Sequence, residues 1–142
     1  MITGASTGIG QAFVQELAKR GMNVILVARS SDRLHSLASN LHQTHGIRAE
    51  VVVADLSLDS AALMVYKTVQ ERQLQVDLLI NNAGFLNYAP FEAIALKQDH
   101  AQVMVNVTAL VDLTHAFVPN ILARGSVAVL NVASNGAFYP MP

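Results

Sequence analysis

Three glycines with the spacing G-x3-G-x-G lie near the start of the chain: Gly4, Gly8 and Gly10, within Thr3-Gly4-Ala5-Ser6-Thr7-Gly8-Ile9-Gly10. Such a turn in front of a helix suits a phosphate. Gly4 can make the sharp exit from a strand. Gly8 has no Cβ to hold the backbone away from a phosphate, and Gly10 lets the next helix pack close to a sheet. A helix expected from Gly8 to Arg20 aims its unpaired N–H groups and its positive dipole end at that phosphate. Ser6 and Thr7 add hydroxyl donors at the rim. A second pointed pair, Arg29-Ser30, comes directly after Ala28. Where a turn of this kind holds a dinucleotide, an acid usually stands there to take the ribose 2′-hydroxyl. Arginine instead offers paired hydrogen bonds to a 2′-phosphate, with Ser30 assisting, so NADP is expected ahead of NAD. A charged hydrogen bond contributes about 1.5–3 kcal/mol, roughly a ten- to hundredfold preference.

Bland readings stand beside these. The glycines also fit an ordinary strand-to-helix turn, and Arg29 also fits a solvated loop. An ATP-type phosphate loop lacks its G-K-[ST] ending here. An adenosylmethionine-dependent methyltransferase would use a similar turn, but would favour an acid where Arg29 stands.

These residues must be positioned by alternating elements. Short β-branched runs occupy Asn23–Ala28, Arg48–Ala54, Asp77–Ile80 and Ser126–Val132. Between them lie apolar residues at helical spacing: Ile9, Phe13 and Leu17; Leu34, Leu37, Ala38 and Leu41; Leu58, Ala62, Val65 and Val69; Val103, Val107, Leu110 and Val111. Ser31 and Gly46 suit the start and stop of the second helix. Continuously apolar strands joined by helices imply an α/β fold, a Rossmann-like doubly wound parallel sheet in three αβα layers. Residues 1–142 read as a single nucleotide-binding domain, expected to be incomplete at both ends. Only Met1 and Ile2 precede the glycine turn, where a strand of about five residues belongs. The last residues, Phe138-Tyr139-Pro140-Met141-Pro142, read as a loop.

Composition narrows the classes. Hydrophobic residues make up 52% and charged residues 13%, which argues against disorder. A net charge of −1 without a basic cluster argues against a nucleic-acid partner. Cysteine is absent, which removes disulfides and thiolate metal sites and suits a cytoplasmic location. Of the five histidines only His42 and His45 share a helical face, and no carboxylate completes a set, so no metal is expected. Uninterrupted apolar runs such as Val24–Ala28 fall far short of the ~18 residues of a membrane span, and none is expected.

Taken together, these segments resemble the short-chain dehydrogenase/reductase family over essentially the whole chain. Thr3–Gly10 looks like its T-G-x3-G-x-G turn, with Ile9 among the cofactor contacts. Asp55-Leu56 resembles its adenine-pocket pair, and Asn81-Asn82-Ala83-Gly84 its N-N-A-G motif, which lines the nucleotide site. Asn106 and Ser134 sit where the family has its catalytic asparagine and serine. Taken singly, Asp55 also fits a helix cap, Asn81 and Asn82 turn formers, Asn106 a structural amide, and Ser134 loop composition.

The resemblance implies hydride transfer between a nicotinamide and a carbonyl or alcohol. Ser134 would hydrogen-bond the substrate oxygen and Asn106 would hold a water in a proton relay. The family's tyrosine and the lysine four residues after it would fall near position 147, past Pro142. Tyr139 is too close to Ser134 to serve, so these residues alone are expected to be inactive. Phe85, Leu86, Tyr88, Phe138 and Met141 suggest an apolar substrate wall. A homodimer or homotetramer through the helix at Ala101–Ala123 is a further implication. A non-catalytic dinucleotide-binding protein is the alternative.

Overall fold

The computed structural model describes residues 1–125 and 128–138. Five parallel strands form one sheet in the order β3-β2-β1-β4-β5. They are β1 (Ile2–Thr3), β2 (Val24–Ala28), β3 (Ala49–Val53), β4 (Leu78–Asn81) and β5 (Ala128–Asn131). Order reverses at β1, which pairs with both β2 and β4. That is the switch point where open α/β sheets hold their ligands. The fold is the expected Rossmann-like α/β arrangement, with each described strand within one or two residues of its predicted run.

Helices α1 (Gly8–Lys19) and α2 (Ser31–His45) cover one face, burying Val14, Ala18, Leu34, Leu37 and Leu41 with Ile2, Leu26 and Ile80. The other face carries α3 (Ala61–Glu71) and α5 (Ala109–Ala123), with Val65, Val69, Leu113, Phe117 and Ile121 on Ile25, Val27, Val52 and Leu79. Because β2 is covered on both sides, all five of its residues are buried, which explains its unbroken apolar run. Gly46 stops α2 in the left-handed conformation at φ +67°, its N–H donating to His42 O at 2.9 Å.

Two predicted helix faces are corrected. In α1 the buried stripe is Gly10, Val14 and Ala18, one residue on from Ile9, Phe13 and Leu17. The sheet demands small residues there, and Ile9 is left 62% exposed. In the long helix, Val103, Val107 and Val111 are exposed, whereas Ala109, Leu113, Phe117 and Ile121 face the sheet. The helix starts earlier than expected: α4 (Leu96–Val103) runs through a π-turn, Met104–Thr108, into α5. The buried residues all lie after the π-turn, in α5, at the regular i, i+4 spacing of Ala109, Leu113, Phe117 and Ile121, two residues on from Val107 and Val111.

The expectation of no spanning segment rested on uninterrupted apolar runs, and one interrupted helix passes a test by length and composition. Leu96–Ala123 is 28 residues long and holds an 18-residue stretch of mean hydropathy 1.3, enough by length and composition alone to cross a bilayer, a measure that core helices of globular proteins also pass. Polar residues such as Asn106 and Asp112 hid it from a search for uninterrupted apolar runs.

Candidate functional site

At the carboxyl ends of the strands lies a cleft of about 430 Å³. Gly4, Ser6, Thr7, Gly8 and Ile9 line it from the β1–α1 turn, and Arg29 and Ser30 from the end of β2. Asp55 and Leu56 come after β3, and Asn82, Ala83 and Gly84 after β4. Every residue predicted to contact a cofactor therefore lines one cleft, except Gly10.

Gly10 works from behind. A Cβ on it would stand 2.2 Å from Gly4 O and 2.5 Å from Asn82 Nδ2. Helix α1 can approach the turn this closely only with glycine at that position. Gly4 and Gly8 both adopt the left-handed conformation, with φ of +64° and +57°. They differ in surroundings: a Cβ at Gly4 would meet Asn82 Nδ2 at 2.9 Å, whereas one at Gly8 meets nothing within 4 Å. The space before Gly8, at the start of α1, is therefore open to a phosphate.

Thr3 joins the two halves of the site and was not singled out from sequence. Its buried hydroxyl accepts the backbone N–H groups of Asn82 and Ala83, both at 2.9 Å, and donates to Ile80 O at 3.4 Å. Asn82 Nδ2 returns a bond to Thr3 O at 2.9 Å. The sequence signal was present, since threonine directly precedes Gly4, but its partner is 79 residues away. Asn81 points the other way, donating to Thr114 Oγ1 and Asn131 Oδ1 at 2.9 Å each and tying β4 to α5 and β5.

The charges favour an anion at the β2 end. Arg33, also missed, lines the cleft from the first turn of α2, four residues after Arg29. Two guanidinium groups thus border it against one carboxylate. That carboxylate, Asp55, accepts from the backbone N–H of Ser57 at 3.0 Å and from its hydroxyl at 2.8 Å. These bonds, in that order, and then the positive charge of Arg29, hold its carboxyl below the usual range. Asp55 stays ionised and acceptor-only, as recognition of an amino group requires.

Asn106 and Ser134 do not line this cleft. Asn106 lies in the π-turn, and its amide clamps the loop after Gly84: Oδ1 accepts Phe85 N–H at 3.0 Å while Nδ2 donates to Phe85 O at 2.8 Å. Gly84 belongs to the same contact, for a Cβ there would stand 3.3 Å from Asn106 Oδ1. Ser134 is exposed after β5, and its Oγ accepts Gly136 N–H at 3.0 Å. Among the described residues the hydroxyl proton has no acceptor. Phe85, Leu86, Tyr88 and Phe138 are exposed. Tyr139 and Met141 lie outside the described residues.

A parallel sheet reversing at β1, with a glycine cradle at the reversal, defines a dinucleotide-binding Rossmann domain. The chain belongs to the short-chain dehydrogenase family, whose pattern matches residues 1–142. It is 32% identical to 17-beta-hydroxysteroid dehydrogenase type 3 of Homo sapiens over 146 aligned positions, covering 100% of this chain and 46% of that protein. Among solved structures, the bulky-bulky ketone specific alcohol dehydrogenase from Comamonas testosteroni superposes with a TM-score of 0.90 at 32% identity, covering 98% of this chain and 55% of that one. L-Sorbose reductase from Gluconobacter frateurii, complexed with NADPH and L-sorbose, gives 0.89 at 34% identity, covering 96% and 52%. The chain spans about half the length of these proteins.

Proposed function

We propose that the protein is an NADP-dependent oxidoreductase acting between a carbonyl and an alcohol, with these residues forming its cofactor-binding portion. The observation that carries the cofactor choice is the pair Arg29, just after β2, and Arg33, in the first turn of α2, two guanidinium groups in a cleft lining whose one carboxylate, Asp55, comes from the end of β3. The N-terminal end of α2, which begins after Ser30, adds its dipole to that positive corner. Gly4, Gly8 and the start of α1 would hold the pyrophosphate, Asp55 and Leu56 the adenine, and Asn82 to Gly84 the nicotinamide half. When bound, the nicotinamide supplies or accepts the hydride. Ser134 would donate its hydroxyl proton to the substrate oxygen, and Asn106 would keep the Gly84–Phe85 loop in place. Exposed Phe85, Leu86, Tyr88 and Phe138 support an apolar substrate. The exposed stripe Val103, Val107 and Val111 supports a homo-oligomer formed through that helix.

The first test is fluorescence titration of the chain with NADPH and NADH. NADPH is expected to bind at least about tenfold tighter, and adenosylmethionine should not displace it. Equal affinities would overturn the cofactor choice. The full-length protein should then consume NADPH with a panel of ketones and aldehydes.

A second reading, a dinucleotide-binding protein without catalysis, is favoured by one observation: Asn106 and Ser134 both stand outside the lining of the cofactor cleft. Tight NADPH binding by the full-length protein, with no turnover of any panel member, would decide for it.

A further inference from the structure

Strand β3 is one edge of the sheet. Its ladder with β2 begins with Val24 N–H donating to Arg48 O and ends with Ala54 N–H donating to Ala28 O, both at 3.0 Å. Alternate residues of a parallel ladder face the same neighbour, so Glu50 and Val52 turn their backbone groups inward. Ala49, Val51 and Val53 turn theirs to the outside. Along this edge runs a groove of about 470 Å³, flanked by Ala38 and Ser39 of α2 and by Met64 and Thr68 of α3. An extended strand has room there, against the β-branched run Val51-Val52-Val53.

One side chain occupies the groove at its centre. Arg72, which ends α3, donates from Nη1 to Val51 O at 2.8 Å. The same nitrogen lies 3.7 Å from Glu50 Oε2, whose other oxygen is held by Arg48 Nε at 2.7 Å. Thus the middle outward carbonyl of the edge is taken by a residue from another element.

The position is telling because the edge is complementary to itself. A second copy laid antiparallel about a two-fold axis through Val51 would set Val51 opposite the partner's Val51 and Ala49 opposite the partner's Val53. Each such pair could exchange both of its hydrogen bonds. Arg72 removes the acceptor on that axis, and would face its own copy there with like charge. We propose that Arg72 is a guard, its bond to Val51 O keeping the β3 edge from pairing with a second copy of the chain. Exposed edges are templates for such pairing and need an explicit block.

Sedimentation velocity over a range of concentrations, with amide exchange at Val51 and Val53, tests this. Arg72→Ala is expected to sediment increasingly as a dimer or larger species, and its Val51 and Val53 amides should gain protection relative to the unsubstituted chain. Adding Val53→Pro should reverse both changes, because its N–H faces outward and proline removes it without breaking the ladder to β2. Arg72→Met keeps the aliphatic stem and removes the donors, so it decides the matter if Arg72→Ala does not fold. Sedimentation unchanged from the unsubstituted chain, or association that survives Val53→Pro, would overturn the proposal.

Discussion

Gly10 and Gly4 are in backbone contact so close that a single methyl group on Gly10 would sit 2.2 Å from the Gly4 carbonyl oxygen. Through this contact α1 is seated against the β1 turn, and the turn against Asn82. The glycines therefore do different work, and substitutions should separate them.

Gly10→Ala should destabilise the fold by about 2 kcal/mol, because turn, helix and Asn82 must all shift to admit the methyl group. At Gly8 a Cβ meets nothing within 4 Å, so Gly8→Val should cost chiefly the positive φ, about 1–2 kcal/mol. It should nevertheless weaken NADPH binding at least about tenfold, since the branched side chain fills the space before α1. Denaturant unfolding and NADPH titration of both variants check this; normal affinity in Gly8→Val would contradict the placement of the phosphate.

Arg29→Asp should invert the preference from NADPH toward NADH, by roughly a hundredfold or more in the ratio of affinities. Arg33→Ala should shift the ratio in the same direction by about tenfold, leaving NADH affinity nearly unchanged. An unchanged ratio in either variant removes that arginine from the 2′-phosphate.

Asn106→Ala loses both bonds to Phe85, whose exposed backbone groups water can then take, so it should cost about 0.5–1.5 kcal/mol per bond. Asn106→Asp keeps the acceptor for Phe85 N–H but faces Phe85 O without a donor, so it should recover only part of the loss. The Phe85 amide should exchange faster in both variants. Protection equal to the unsubstituted chain would show that the clamp is absent in solution.

The Asp55 carboxyl is held below its usual range by the backbone N–H and hydroxyl of Ser57. A group with a depressed folded value contributes stability above the ordinary carboxylate range and loses it as pH falls through that folded value. Urea unfolding from pH 7 to 3 should therefore show the unsubstituted chain losing more stability on acidification than Asp55→Asn. Equal losses would show that the carboxylate is not held by Ser57.

Much of the architecture was legible because local chemistry specified it. β-Branched runs marked β2 to β4, Gly46 marked the end of α2, and the glycine spacing marked the cradle. Arg29, Asp55 and Asn82 could be placed at the site because each stands just past the end of a strand, and strand ends converge in a parallel sheet.

Tertiary structure decided what depended on distant partners. That Thr3 carries the Asn82–Ala83 loop is the result of pairing across 79 residues. That Arg33 shares a cleft with Arg29 depends on where α2 begins. Asn106, in the π-turn at Met104–Thr108, meets the Phe85 backbone 21 residues before it. Sequence alone determined the alternation of elements and the residue types at their ends, because these depend on local propensity. Which backbone groups, helix faces and charges meet was decided only when the sheet brought separated segments within hydrogen-bonding distance.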